Sequence, residues 1–171
     1  MTAVLLPEPR AKFAPAVRSE TAVHLSPGQV FFARTPANII TILGSCVAVA
    51  LWDPESGVGG MNHYLLPRCL GGTQSAKYGD VASALLLAQF ARAGIPVSRL
   101  EAKVFGGACV IEAFRRRGDD LGAQNIGAAY DFLTLRGIPI VEEDVRGSSG
   151  MRICFRTEDG SVSIRHLGDE R

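Results

Sequence analysis

Two apolar stretches dominate the first half of the chain, Ile39–Trp52 and Val58–Leu66, the first of them rich in β-branched residues. The turn-forming run Asp53-Pro54-Glu55-Ser56-Gly57 separates them, so together they predict a β-hairpin. Within the first stretch the apolar pattern breaks only at Gly44-Ser45-Cys46. Pro67–Ser75, with two adjacent glycines, predicts a loop. The period then changes. Val81, Ala84, Leu85 and Ala88 stand at i, i+3, i+4 and i+7, which predicts an amphipathic helix over Tyr78–Ala93 with Gly94 as its stop. A strand over Leu100–Phe105 follows. Ile126, Ala129, Tyr130 and Leu133 repeat the helical spacing and predict a second helix over Leu121–Arg136, stopped by Gly137 and followed by a strand over Ile138–Val141. Ile153–Arg156 and Val162–His166 are the last predicted strands.

Gly94-Ile95-Pro96-Val97 and Gly137-Ile138-Pro139-Ile140 echo one another, each after a helix and before a strand. Such an echo fits a duplicated helix-strand unit, but it fits ordinary helix punctuation as well. The first 21 residues carry three prolines and no sustained period, so they read as a loose N-terminal arm, with a single domain over 22–171. A hairpin followed by helix, strand, helix and strands indicates an α+β domain with layered mixed β-sheets and helices on the outer faces.

Composition narrows the function. The 171 residues suit one domain with a real core. With 47% hydrophobic and 20% charged residues, the chain lies far from the signature of disorder. The formal charge of +1 leaves no basic surplus for a phosphate backbone or an anionic membrane surface, so nucleic acid is not an expected partner. No apolar run approaches a membrane span and no leader pattern is present, so a cytoplasmic protein without membrane insertion is expected. Cys46, Cys69, Cys109 and Cys154 match neither a metal knuckle nor a redox pair, and no metal spacing joins His24, His63 and His166. Neither a metal nor a cofactor is expected.

The chemistry-bearing segment runs from Thr41 through Gly44-Ser45-Cys46 to Asn62 and His63. With the turn at Asp53–Gly57, opposed residues have numbers summing to about 109, which sets Cys46 opposite His63 on one face. A one-residue slip would break that pairing. A thiolate is a strong nucleophile, and an imidazolium beside it lowers the thiol pKa, so an ion pair is expected. Thr41 is the candidate for orienting the imidazole. Gly44 lets the backbone turn sharply before the thiol, where N–H groups can hold an oxyanion. Gly44, Ser45 and Asn62 are therefore the candidate substrate or oxyanion contacts. Taken singly, a cysteine in an apolar strand is core packing and a histidine beside it is scaffold. The joint placement favours chemistry as much as packing.

Other signals are weaker. Phe105-Gly106-Gly107-Ala108 reads as a tight turn rather than a phosphate loop, and Arg115-Arg116-Arg117 before Asp119-Asp120 reads as a solvated loop. Cys69 lies in the loop after the hairpin, within reach of the site, while Cys109 and Cys154 read as core thiols.

Leu43-Gly44-Ser45-Cys46-Val47-Ala48-Val49, Gly59-Gly60-Met61-Asn62-His63 and Leu65-Leu66-Pro67 resemble the chemoreceptor glutamine deamidase family, CheD. Lys77-Tyr78-Gly79-Asp80, Ala102–Ala108, Gly122 with Asn125, and Gly137-Ile138-Pro139 extend the resemblance, which covers about Ala22 to Leu167. It implies a cysteine-hydrolase type of fold and hydrolysis of receptor glutamine side chains to glutamate and ammonia. Cys46 would be the nucleophile, His63 the base and Thr41 the orienting residue. It also implies chemoreceptor cytoplasmic domains as protein substrate, a CheC-type phosphatase as a partner of some members, and methyl ester hydrolysis by others. Near the C-terminal end the family commonly reads Asp-Val-Gly-Gly-x-x-Gly-Arg, where this chain has Arg146 for the first Gly and Met151 for the Arg. A binding module that regulates a phosphatase or receptor, with catalysis secondary or lost, is the alternative. General cysteine peptidase or thioesterase activity is a third.

Overall fold

The computed structural model describes residues 21–168, so the expected N-terminal arm lies almost wholly outside the described residues. Nine strands form two sheets. Thr21–His24 (β1), Ala37–Leu43 (β3), Met151–Arg156 (β8) and Val162–His166 (β9) make a four-stranded sheet in the order β1-β3-β8-β9. Gln29–Ala33 (β2), Val47–Asp53 (β4), Val58–His63 (β5), Glu101–Gly106 (β6) and Ile140–Val145 (β7) make a five-stranded sheet in the order β2-β5-β4-β6-β7. Both sheets are mixed, with β1/β3 and β6/β7 as their parallel pairs. Helices Gly79–Arg92 (α1) and Leu121–Leu135 (α3) pack on the five-stranded sheet, and a short helix, Glu112–Arg117 (α2), precedes α3.

Burial follows the sequence period. Along β4 the odd positions Val47, Val49 and Leu51 join Leu86, Phe90, Ala129 and Leu133 beneath the helices. The even positions Ala48 and Ala50 join Leu43, Met61, Phe105, Met151, Ile153 and Phe155 between the sheets. A strand buried on both faces reads as continuous apolar sequence, as this one does. The result is an α+β domain of three layers, with the helices on one outer side only.

The predicted hairpin forms, with a different register. Asp53 pairs with Val58, and partner numbers sum to 111, as in Ala50 with Met61. The buried Asp53 carboxylate accepts from Glu55 N at 3.1 Å and from Ser56 Oγ at 2.5 Å, which organises a four-residue loop. Gly57 completes the turn at φ 68°. The ladder therefore closes one pair later than expected, and His63 stands level with Ala48 rather than Cys46. A shift of two in the sum preserves side-chain parity, so Cys46 still projects to the His63 face.

The break at Gly44–Cys46 is a change of sheet. β3 belongs to the four-stranded sheet and β4 to the other, so the first apolar stretch is two strands in different layers. Arg115, Arg116 and Arg117 lie on α2 rather than in a loop. The two Gly-Ile-Pro echoes are alike in structure. Ile95 N–H donates to Phe90 O and Ile138 N–H to Leu133 O, each at 3.0 Å, with Gly94 and Gly137 at φ 75° and 65°. The two strands they introduce lie side by side and parallel, as β6 and β7.

Candidate active site

Thr41 lies on the inner face of β3 and His63 at the end of β5, so the two come from different sheets and face each other across the inter-sheet layer. Thr41 Oγ1 donates to Leu25 O at 2.7 Å. A hydroxyl has one proton, so the 2.8 Å contact between Thr41 Oγ1 and His63 Nδ1 must have the ring nitrogen as donor. That fixes the tautomer. Nδ1 carries the proton and Nε2 keeps its lone pair, buried and without a hydrogen-bond partner among the described residues.

Cys46, half-buried, packs against the same inter-sheet cluster. The loop that carries it is held by its carbonyls. Ala108 N–H donates to Gly44 O and Gly107 N–H to Cys46 O, each at 2.8 Å. Asn125, fully buried on α3, places Nδ2 3.0 Å from Ser45 O and 2.9 Å from Leu65 O. Tyr64 OH in turn donates to Asn125 O at 2.6 Å. In a trans peptide the N–H points opposite to the C=O, so Ala108 and Asn125 aim the N–H groups of Ser45 and Cys46 away from the protein bodies that hold their carbonyls. Those two N–H groups make no hydrogen bond to another described residue, and the Cys46 N–H lies against its own sulfur.

Close approach makes two glycines necessary. Gly106 has φ 103°, and a Cβ there would sit 2.3 Å from Cys46 O. Gly122 on α3 lies against Gly107 O, where a Cβ would come within 2.4 Å. The Gly106-Gly107-Ala108 segment is a tight turn, as expected, and its task is to hold the Cys46 loop.

Burial sets the charge state of the site. It pushes His63 down to about 4, against a smaller opposing effect from its link to Leu25. Burial also raises Cys46, against a smaller opposing effect from its own N–H. Burial thus works against the expected thiolate-imidazolium ion pair, disfavouring the charged form of each partner.

Thr41, Cys46 and His63 are brought to one layer, and Gly44 and Ser45 lie on the exposed loop beside them. Asn62 is not brought there. Alternation turns it to the helix side, where Oδ1 accepts from Val49 N at 2.8 Å and Nδ2 donates to Ser83 Oγ at 3.1 Å. Its amide is occupied between β4 and α1, away from Thr41 and Cys46. Cys69 is tied elsewhere, its N–H on the Asp80 carboxylate at the start of α1. Cys109 is buried as expected, whereas Cys154 is half-buried on the outward side of β8. Asn125 is the residue that residue-by-residue reading missed. A cleft of about 270 Å³ opens beside Thr41 and His63, lined also by His24, Ser26, Ile42 and Arg152. A larger groove, about 640 Å³ between β2 and α1, lies away from these residues.

Arg146 has φ 67°, the left-handed conformation that favours glycine. Its guanidinium forms two bonds to Asp120, 2.8 and 2.6 Å, and one to Arg115 O at 3.0 Å. Asp120 caps α3 through Ala123 N. Met151 is fully buried between the sheets.

Fold and site define a class: an α+β protein of two packed mixed sheets, with a cysteine, a histidine and a threonine at one end of the inter-sheet layer. Residues 65–166 match the family model described as CheD chemotactic sensory transduction. The "Probable chemoreceptor glutamine deamidase CheD 1" of Anaeromyxobacter dehalogenans is 43% identical over 159 residues, 93% of this chain and 92% of that protein. The "Probable chemoreceptor glutamine deamidase CheD" of Rhodospirillum rubrum is 41% identical over 88% of this chain and 85% of its own length. The chain belongs to the CheD family. Among solved structures, a Bacillus licheniformis hypothetical protein, YfiH, covers 70% of this chain and 51% of its own at 12% identity and a TM-score of 0.47. No helix among the described residues is long and apolar enough to cross a membrane.

Proposed function

We propose that this protein hydrolyses glutamine side chains on chemoreceptor cytoplasmic domains to glutamate and ammonia, with Cys46 as nucleophile, His63 as base and acid, and Thr41 as the orienting residue. The observation that carries the reading is the proton order Leu25 O, Thr41 Oγ1, His63 Nδ1, which leaves Nε2 as an acceptor on the face to which Cys46 projects. The names of the two relatives matched over most of their length support the substrate class.

In this reading His63 Nε2 takes the thiol proton as sulfur adds to the amide carbon. The developing oxyanion is received by the N–H groups of Ser45 and Cys46, whose directions are fixed before substrate arrives. The imidazolium returns its proton to the departing nitrogen, ammonia leaves, and a thioester remains. Water, deprotonated by the same Nε2, adds to the thioester carbon. The glutamate carboxyl forms and the thiol is restored. No step calls for a cofactor.

The test is incubation with chemoreceptor cytoplasmic fragments, with glutamine converted to glutamate read by mass and ammonia by coupled assay. Wild type should convert specific glutamines and Cys46→Ala none. Equal ammonia release by the two would overturn the assignment. The reading places the protein in the cytoplasm with its substrate, and a CheC-type phosphatase is a further partner to be tested by direct binding.

A further inference from the structure

The cleft beside Thr41 and His63 is also lined by Arg152, which lies on the outward side of β8, since its neighbours Met151 and Ile153 are fully buried between the sheets. That side of the four-stranded sheet carries neither α1 nor α3, which pack on the other sheet. Arg152 stands directly opposite Arg165 on β9 and Ile42 on β3, and Ile42 is 60% exposed. Two like charges facing each other across a ladder repel.

Several arginines elsewhere in the fold are matched with acids, while Arg34 and Arg136 lie over phenylalanine rings instead. Arg68, Arg99, Arg116, Arg117, Arg146 and Arg156 each meet an aspartate or glutamate. Arg152 and Arg165 meet none among the described residues. Arg152 brings this like-charged pair to the edge of the cleft that reaches His63. His24 and Ser26 add polar groups to the same lining.

We propose that Arg152, with Arg165 beside it, is a subsite for a carboxylate side chain of the protein substrate, so that the site selects glutamines with an acidic neighbour. The proposal rests on the deamidase reading for the identity of the substrate. A guanidinium fork receives a carboxylate through two parallel N–H bonds, and a bound carboxylate also relieves the repulsion between the two arginines. Ile42 offers an apolar surface for the stem of the same side chain.

The test uses a helical chemoreceptor fragment with one target glutamine and Glu, Ala or Lys placed one helical turn away. For wild type, KM for the Glu fragment should be at least fivefold lower than for the Ala fragment, with kcat unchanged. Arg152→Ala should lose that preference, Arg152→Lys should keep part of it, and Arg152→Glu should turn it toward the Lys fragment. Iodoacetamide alkylation of Cys46 should be the same in all of them, which verifies that the site is intact. An equal Glu to Ala ratio of KM in wild type and Arg152→Ala would overturn the subsite.

Binding of the labelled fragments to Cys46→Ala protein, read by fluorescence anisotropy, separates docking from chemistry. A Glu preference that disappears in Cys46→Ala/Arg152→Ala, with no ammonia from any active form, would sustain the subsite and sink the deamidase reading. Equal binding of all three fragments would sink the subsite whether or not ammonia is released.

Discussion

Thr41 and His63 reach across from opposite sheets to share a 2.8 Å bond, and the threonine proton is already committed to Leu25 O. Thr41→Val keeps the shape and removes the acceptor, leaving the Nδ1 proton buried without a partner. General base catalysis that depends on the ring's tautomer and orientation is worth about 10²–10⁴-fold, so ammonia release should fall by about tenfold or more. Thr41→Ser should keep most of it. Full activity in Thr41→Val would mean that the tautomer is set by something else.

The acid behaviour of the protein follows from His63. Its folded-state pKa is lowered from 6.5 to about 4, so the unfolded chain takes up the proton first as pH falls. Stability from this group is complete above 6.5 and is lost progressively down to about 4, a loss of up to about 3 kcal/mol. His63→Gln should flatten that part of the pH dependence, as read by urea midpoints at neutral and mildly acidic pH. In the wild type, the acid limb of kcat/KM should lie nearer 4 than 6.5. An acid limb at the ordinary imidazole value would contradict the buried, neutral ring.

Asn125 connects α3 to the residues just before Cys46 and just after Tyr64. Asn125→Ala leaves the part-buried carbonyls of Ser45 and Leu65 without that donor, a cost of about 0.5–1.5 kcal/mol each. Asn125→Asp is the sharper test, because an ionised carboxylate would face those carbonyls with no proton to offer. Both variants should slow Cys46 alkylation and ammonia release, with Asp worse than Ala. The opposite order would show that volume, and not the donated hydrogen bonds, is what matters there.

Gly106→Ala puts a methyl group 2.3 Å from Cys46 O, at a φ of 103° that alanine resists. The Cys46 loop must move or the strand must break. Ammonia release should be abolished while α1 and α3, measured by far-ultraviolet circular dichroism, persist. Wild-type activity in this variant would show that the loop tolerates displacement.

Arg146 occupies a backbone conformation that costs a side-chain-bearing residue about 1–2 kcal/mol, and its ion pair with Asp120 offsets that cost. Arg146→Ala keeps the strain and loses the pair, whereas Arg146→Gly loses both together. Glycine should therefore be the milder substitution, by about 1 kcal/mol in denaturant unfolding. Alanine equal to or milder than glycine would remove the strain from the account.

Both long helices and most strands after Gly94 are legible in the sequence because each is a local pattern with a local stop. The sheet change at Gly44–Cys46 is not, since β3 and β4 are equally apolar and only their partners, β8 and β6, tell them apart. The hairpin register turned on Asp53, whose side chain organises the loop from inside the fold. α2 is a single short helix within a charged run, too brief for periodicity to reveal. Cys46, His63 and Thr41 were visible because they crowd into one segment. Asn125 enters only through the wider resemblance, since the carbonyls it serves lie 80 and 60 positions away and no local pattern marks it.

The bond between Thr41 and His63 spans the seam between the two sheets, so it gauges their separation. A shift of about an ångström along that seam would undo the bond before either ladder lost a hydrogen bond of its own. Catalytic competence is thus hostage to how two sheets lie against each other, while circular dichroism reports only that each sheet exists. A molecule loosened in mild denaturant or by a remote core substitution could look fully folded and do no chemistry, and its enzyme activity would be the most sensitive measure of its interior.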